Sequence, residues 1–351
     1  MNSYERVQAA VHFKKPDCVP VAPYMGNFGA VLAGVPVHKY CTSGKLMAKA
    51  QYEACQEIDQ DVLVAQSDNY YISEGFGMEV QHHENSTPTF RKPAFEETKD
   101  IYRLKIPDPF KDGRMPVILE AVELLSARVK KEKVIRVPGS GPFTLAAHLM
   151  GTEKFLIHLA TIDASGDAGE VEVMHDLLEM CTEAVIRFQR ACIDTGADII
   201  QVGDSLASID MISPDMYRTW AYPYEKKCFD EVNEYGREKD CMSILHICGD
   251  TTAILEDMAD TGTDIVEIDS KVSMRTAKET IGDRSALIGN LEPSAVLLQG
   301  TPELVHEKSR EVIRDAGENY GLILGSGCEV PPNTPKENIL AMVRAARESR
   351  Y

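Results

Sequence analysis

Two hydrophobic patterns alternate along the second half of the chain. The first has the 3.6-residue period of an amphipathic helix. Over residues 171–194 it places Leu177, Leu178, Cys181, Val185, Phe188 and Cys192 on one face. Gly196 follows, where a helix end favours a residue that tolerates a left-handed backbone. The second pattern is a short β-rich run that stops at a polar residue, first seen at 198–203 with Asp204 behind it. The unit recurs as Gly262, 265–268 and Asp269, then as Gly282, 286–288 and Asn290, and last as Gly321, 322–324 and Cys328. Ser213-Pro214, Thr301-Pro302 and Thr334-Pro335 each put a capping hydroxyl before a proline suited to the first helical turn. Thr334 with Glu337 also fits a capping box.

The first half is less regular. Residues 19–23, 62–65 and 134–137 read as strands, and with 198–203, 243–247, 265–268, 286–288 and 322–324 the count reaches about eight. About eight β/α units in one chain predict a single (β/α)8 TIM barrel, a fold of ~250 residues before insertions. The chain has 351 residues and no linker-like stretch, so residues 1–351 are expected to form one domain. The excess falls between the second and third strands as an inserted segment, about residues 78–113. Within it, 78–91 reads as a hairpin turning near Asn85-Ser86, and 103–113 as an irregular connection.

Charge narrows the partners. The formal net charge is −18 and no basic stretch interrupts it, which argues against nucleic acid and anionic membranes. No apolar run approaches the length that spans a bilayer, and the first ten residues lack a signal-peptide core, so a cytoplasmic protein is expected. Nine scattered cysteines without a CxxC are then thiols or metal ligands. Seven have a plain structural reading, Cys181 and Cys192 as small hydrophobes on the helix stripe and Cys18, Cys41, Cys55, Cys228 and Cys241 without a partner motif.

The other two carry the chemistry. The run 243–248 ends in His246-Ile247-Cys248, and the run 322–328 ends in Gly327-Cys328. Both are expected at the C-terminal ends of barrel strands, where such folds place their active sites. Residues two apart on a strand share a face, so His246 and Cys248 can reach one ion. A lone histidine there would read as a satisfied core residue; the same-face cysteine and the second glycine-flanked cysteine favour ligation. One imidazole and two thiols are a zinc set, and three protein ligands leave a position free, as a catalytic ion requires. Thiolate ligands suit Zn(II), and a coordinated substrate thiol is deprotonated, so the set suits thiol alkylation. HExxH, the mark of a zinc hydrolase, is absent.

The same mouth is expected to carry Asn27, Asp68, Gly139, Ser140, Asp204, Asp269 and Asn290. Polar residues at strand ends also serve as helix caps, so each has a structural reading beside the functional one. The Gly139-Ser140 turn can touch an anionic group through backbone amides or can simply make a tight strand-to-helix turn. Asp204 or Glu74 is expected to supply a resting fourth ligand, or Asp204 to orient substrate. The His82-His83 pair reads as surface sequence.

Gly141-Pro-Phe-Thr-Leu-Ala146, Ile212-Ser-Pro-Asp-Met-Tyr217 with Tyr222-Pro223, His246-Ile-Cys-Gly249, Gly289-Asn-Leu-Glu-Pro293 and the stretch 327–338 resemble the uroporphyrinogen decarboxylase superfamily. The resemblance runs from about Arg6 to Ala346 and implies a (β/α)8 barrel. Within that superfamily the chain is most similar to zinc-dependent, corrinoid-linked methyltransferases of the methylcobalamin:coenzyme M type. Their His-x-Cys plus distant Gly-Cys pattern falls on His246, Cys248 and Cys328. The resemblance implies Zn2+ on those three residues and methyl transfer from a methylcobalamin-type corrinoid to a small thiol. His246, Cys248, Cys328 and Asp204 are the catalytic candidates, and Asn27, Asp68, Asn290, Gly139 and Ser140, at the strand ends, the candidates for cofactor binding. No Asp-x-His-x-x-Gly corrinoid-binding signature occurs, so the corrinoid is expected on a separate carrier protein or free, with residues 78–113 as a docking or lid element. The alternatives are a metal-free uroporphyrinogen decarboxylase and a binding protein with a fully ligated structural zinc. The decarboxylase needs basic residues near the first strand, where this chain reads Pro23-Tyr-Met-Gly-Asn-Phe28.

Overall fold

A computed structural model describes residues 1–317 and 319–349. Ten strands occur among them: β1 Val21–Ala22, β2 Val62–Val64, β3 Glu79–Gln81, β4 Thr89–Lys92, β5 Val134–Ser140, β6 Ile199–Gly203, β7 Met242–His246, β8 Ile265–Glu267, β9 Ala286–Leu291 and β10 Leu322–Ser326. Eight are parallel, in the order β1-β10-β9-β8-β7-β6-β5-β2, and helices surround them: a (β/α)8 barrel. The remaining two, β3 and β4, pair antiparallel in the segment between β2 and β5, as the expected hairpin. The loop after them runs through a 3-10 turn at Thr98–Arg103 to the helix Met115–Val129.

Alternation along the strands explains what fills the barrel. Val62, Val134, Ile199, Ile244 and Ile265 belong to one buried apolar cluster with Val7, Ala10 and Val11 of the helix Ser3–Val11, which closes the N-terminal end. Two residues further along β5, β6, β7 and β8, on the same face, stand Arg136, Gln201, His246 and Glu267. The barrel interior therefore changes from an apolar layer to a charged one toward the C-terminal end of the strands. The plugging helix is fixed by a capping box, Asn2 Oδ1 accepting from Glu5 N at 2.8 Å and Glu5 Oε2 from Asn2 N at 3.0 Å.

The seam between β1 and β2 is closed by one residue. Asp61 N donates to Val21 O at 2.8 Å, and Asp61 Oδ2 accepts from Val21 N at 2.7 Å. The same buried carboxylate accepts from Arg6 Nη1 at 2.7 Å and Arg347 Nη1 at 2.8 Å, tying both ends of the chain to the seam. Asp61→Asn keeps the shape but gives two guanidinium groups a neutral partner. It is expected to cost roughly 1.5–3 kcal/mol, the worth of hydrogen bonds to a charged group. Urea unfolding measures it, and unchanged stability would deny the seam its importance.

The helix expected at 171–194 spans Ala168–Thr195, with all six stripe residues buried and Gly196 at φ 105°. Ser213 and Thr301 cap as expected, accepting from Met216 N at 3.1 Å and Leu304 N at 3.3 Å. The capping box at Thr334 does not form: the helix starts at Lys336 with Pro335 at its N-cap, one residue too late for the threonine to reach. All nine cysteines are free thiols. No helix of the described residues is long and apolar enough to cross a membrane.

Candidate metal centre and its cleft

His246 ends β7, Cys248 follows in the loop, and Cys328 lies just beyond β10 on the other side of the mouth. The structure brings the three together. His246 Nε2 lies 3.1 Å from Cys248 Sγ, Cys248 Sγ lies 3.7 Å from Cys328 Sγ, and all three donor atoms fall within 4.8 Å of one another. They form the one group of three or more His, Cys, Asp or Glu donors among the described residues that could hold a metal ion. Backbone shape helps: an added Cβ on Gly327 would lie 2.5 Å from Ser270 N, so only glycine lets this loop pack here.

Support for the cluster comes from the charged layer beneath it. His246 Nδ1 lies 3.0 Å from Glu267 Oε2. Glu267 is fully buried and is held by Arg136, whose Nη1 donates to Oε1 at 2.8 Å and whose Nη2 donates to Oε2. Arg136 Nε also donates to Gln201 Oε1 at 2.8 Å. A carboxylate at Nδ1 keeps that nitrogen protonated and leaves Nε2 as the ligating atom. On the other side, the Cys248 thiol donates to Ser205 Oγ at 3.3 Å, and Asp269 Oδ2 accepts from Gly249 N at 2.9 Å, fixing the loop behind Cys248.

The electrostatics follow from this packing. Burial pushes Glu267 up, but Arg136 and then His246 bring it down to about 2. Burial pushes the His246 imidazolium down, yet Glu267 and the bond with Cys328 outweigh it and raise it to about 10. A hydrogen bond with Cys328 holds Cys248 below its ordinary value against burial, while the same bond and then burial raise Cys328.

The cluster opens into a cleft of about 90 Å3 whose lining includes Tyr24, Gln66, Asp68, Asn69, Ser205 and Glu329. Of the residues expected at the mouth, Asp68 and Gly139 line this cleft. Asp68 is held by a two-pronged bond from Arg114 at 2.6 and 2.7 Å, and Glu74 takes Arg114 Nε at 2.6 Å, so neither carboxylate is free. Asn27 is not among the lining residues; its Nδ2 donates to Ser67 O at 2.7 Å and to Glu329 Oε1 at 2.9 Å, and it positions Glu329. Asn290 braces a loop instead, donating to Val272 O at 2.7 Å and Asp269 O at 3.1 Å. Ser140 Oγ donates to Asn69 O at 2.8 Å.

Asp204 departs furthest from expectation. It is fully buried and outside the cleft lining, and its carboxylate accepts from Phe143 N at 3.2 Å and Thr144 N at 2.6 Å. It caps the helix Pro142–Met150. An added Cβ on Gly141 would lie 2.5 Å from Asp204 Cγ, so the glycine in that turn makes room for the cap. Burial raises Asp204 to about 6, against the bonds from Thr144 and Phe143. Cys248 and Cys328 are the half-exposed thiols of the site, whereas His83 is exposed and bonded to Thr89 Oγ1 at 2.9 Å.

Sequence reading missed Arg136, Gln201, Glu267 and Glu329. The first three had a visible signal, a charged or amide side chain inside an otherwise apolar strand run. Glu329 had only its place beside Cys328.

Comparison with known proteins places the fold and the family. The family profile "Uroporphyrinogen decarboxylase (URO-D)" matches residues 2–349. The methylcobamide:CoM methyltransferase MtbA of Methanosarcina acetivorans is 34% identical over 264 residues, 75% of this chain and 72% of that protein. A uroporphyrinogen decarboxylase of Carboxydothermus hydrogenoformans is 26% identical over 331 residues, 93% of this chain and 89% of that one. Among solved structures, a methyltransferase from Methanosarcina mazei superposes with a TM-score of 0.88 at 28% identity, covering 99% of both chains. The chain therefore belongs to the uroporphyrinogen decarboxylase family of enzymes.

Proposed function

We propose that this protein is a zinc-dependent methyltransferase that moves a methyl group from a methyl-corrinoid, carried by a partner protein or free, to a small thiol. The observation that carries the reading is the convergence of His246, Cys248 and Cys328, with donor atoms within 4.8 Å of one another. Two thiolates and one imidazole are a fitting donor set for Zn2+, with no fourth protein donor among the described residues in that group. A zinc ion there would supply a Lewis acid that favours the acceptor's thiolate over its thiol at neutral pH. The named methylcobamide:CoM methyltransferases among the relatives support the same class of reaction.

The chain's own residues orient and insulate this chemistry. Glu267 fixes the imidazole tautomer, Arg136 holds Glu267 and is itself held by Gln201, and the Ser205 hydroxyl lies 3.3 Å from Cys248 Sγ, placed to donate to it as a thiolate. The methyl carbon moves from cobalt to sulfur as the cobalt–carbon bond breaks, its electron pair stays on the corrinoid, and the thiol proton leaves to solvent. The cleft at the cluster is narrow, and the corrinoid would present its methyl group from above the mouth. The decarboxylase reading needs the macrocycle inside a basic cleft. No lysine or arginine lines this one among the described residues.

Purified protein should carry about one zinc per chain and should demethylate methylcobalamin when a small thiol is added, followed by the cobalt absorbance change. Zinc-free protein with full activity would reject the reading. Zinc affinity should also rise with pH. His246 is raised to about 10 and Cys328 is raised too, so both hold protons at neutral pH that an entering cation must displace. Lower pH restores the competing protons. A competition titration at several pH values measures the slope, and a flat response would mean that other groups bind the metal.

A further inference from the structure

We propose that the methyl acceptor is a thiol bearing a protonated amine a few bonds from its sulfur, and that Glu329 selects it. This rests on the thiol methyltransferase reading above. Coenzyme M, the acceptor in the names of the relatives, carries a sulfonate. The cleft of this chain is built for the opposite sign.

Three observations carry the inference. First, the carboxylate beside the cluster has an open oxygen. Glu329 Oε1 accepts from Asn27 N and Asn27 Nδ2, both at 2.9 Å, while among the described residues no hydrogen bond or ion pair engages Oε2. Gly26 makes room for this arrangement, since an added Cβ would lie 2.8 Å from Glu329 Oε1. Second, Glu329 stands at a doorway. It lines both the metal cleft and an outer hollow of about 380 Å3 formed with Asn27, Val31, Asn85 and Pro331. A sulfur at the cluster would place a short substrate tail beside this carboxylate.

Third, the cationic groups near the cleft are already committed. Among the described residues no lysine or arginine lines either space. Arg114 is spent on Asp68 and Glu74, and Arg136 on Glu267 and Gln201. The N-terminus of the helix Pro142–Met150, the natural anion site at this end of the barrel, is filled by the Asp204 carboxylate. The backbone amide of Asn27 is taken by Glu329 itself. A sulfonate would meet an unmatched carboxylate, whereas an ammonium group would complete an ion pair in a confined, weakly screened site.

Three thiols of equal length separate the charges: 2-aminoethanethiol, 2-mercaptoethanol and 2-mercaptoethanesulfonate. Calorimetric binding to the zinc-loaded protein without corrinoid, and demethylation of methylcobalamin, give two independent readouts. The expected order is ammonium, neutral, sulfonate, with ammonium favoured over sulfonate by roughly tenfold or more. The thiols differ in acidity, so the deciding quantity is the change in that ratio in Glu329→Gln, which should fall to within about threefold. Sulfonate binding tightest in the wild type, or a ratio unmoved by Glu329→Gln, overturns the assignment. With 2-mercaptoethanol still methylated, that outcome leaves the methyltransferase reading standing. If none of the three binds or reacts, that reading falls and this inference falls with it.

Discussion

Cys328→Ala is expected to abolish stoichiometric zinc and to lower thiol-dependent demethylation of methylcobalamin by well over a hundredfold. Loss of a partner one bond removed from a metal typically costs about 10–100-fold in affinity or activity, and loss of a ligand exceeds that. Two donors on one strand end cannot replace three that converge from both sides of the mouth, and Cys328 is the one donor from the β10 side. The fold should survive, because Cys328 is only part-buried and lies in a loop beyond the strand. Metal analysis and the cobalt absorbance assay on the same preparation decide the matter. A variant that retains one zinc and full turnover would place the chemistry elsewhere.

Arg136→Met should have the largest effect on stability. Arg136 is 1% exposed and Glu267 is fully buried, so removing the guanidinium strands a carboxylate inside the barrel. Breaking such a pair costs about 3–5 kcal/mol, whereas replacing both members by apolar groups is often neutral. The double variant Arg136→Met, Glu267→Leu should therefore regain most of the stability in urea unfolding. It should not regain zinc affinity, because His246 Nδ1 then loses its carboxylate, an effect of roughly 10–100-fold. A double variant with both wild-type stability and wild-type zinc affinity would show that the pair has no bearing on the metal site.

Much of this architecture could be read from hydrophobic spacing. All eight barrel strands fall where short β-rich runs precede a polar residue, since burial on both faces makes such strands apolar and a glycine usually marks the preceding helix end. The His246, Cys248 and Cys328 cluster was legible because two β-rich runs end in these residues and their ends meet at the mouth, although Cys248 lies in the loop past β7 rather than on the strand. What spacing could not supply was direction. Asp204, Asn290 and Ser140 stand at strand ends like true site residues, yet their side chains satisfy backbone groups of neighbouring loops and helices, a choice fixed by three-dimensional packing. The charged layer of Arg136, Gln201 and Glu267 was overlooked because each lies in a run whose apolar neighbours established the strand. Their pairing joins residues 131 positions apart in the case of Arg136 and Glu267, which no local pattern reveals. Thr334 failed as a cap through a one-residue shift of the helix start, an error at the limit of boundary prediction.

The donors of the candidate metal cluster come from the end of β7 and the loops after β7 and β10, Cys248 and Cys328 being 80 residues apart on strands separated by β8 and β9. Any cation seated there acts as a clasp across the open rim. At the opposite pole the closure is permanent, made by Asp61 with Arg6 and Arg347. One end of the cylinder is thus locked by charges the chain always carries. A cation held by the three donors at the other end would tie the rim loops together while the strands beneath stay assembled.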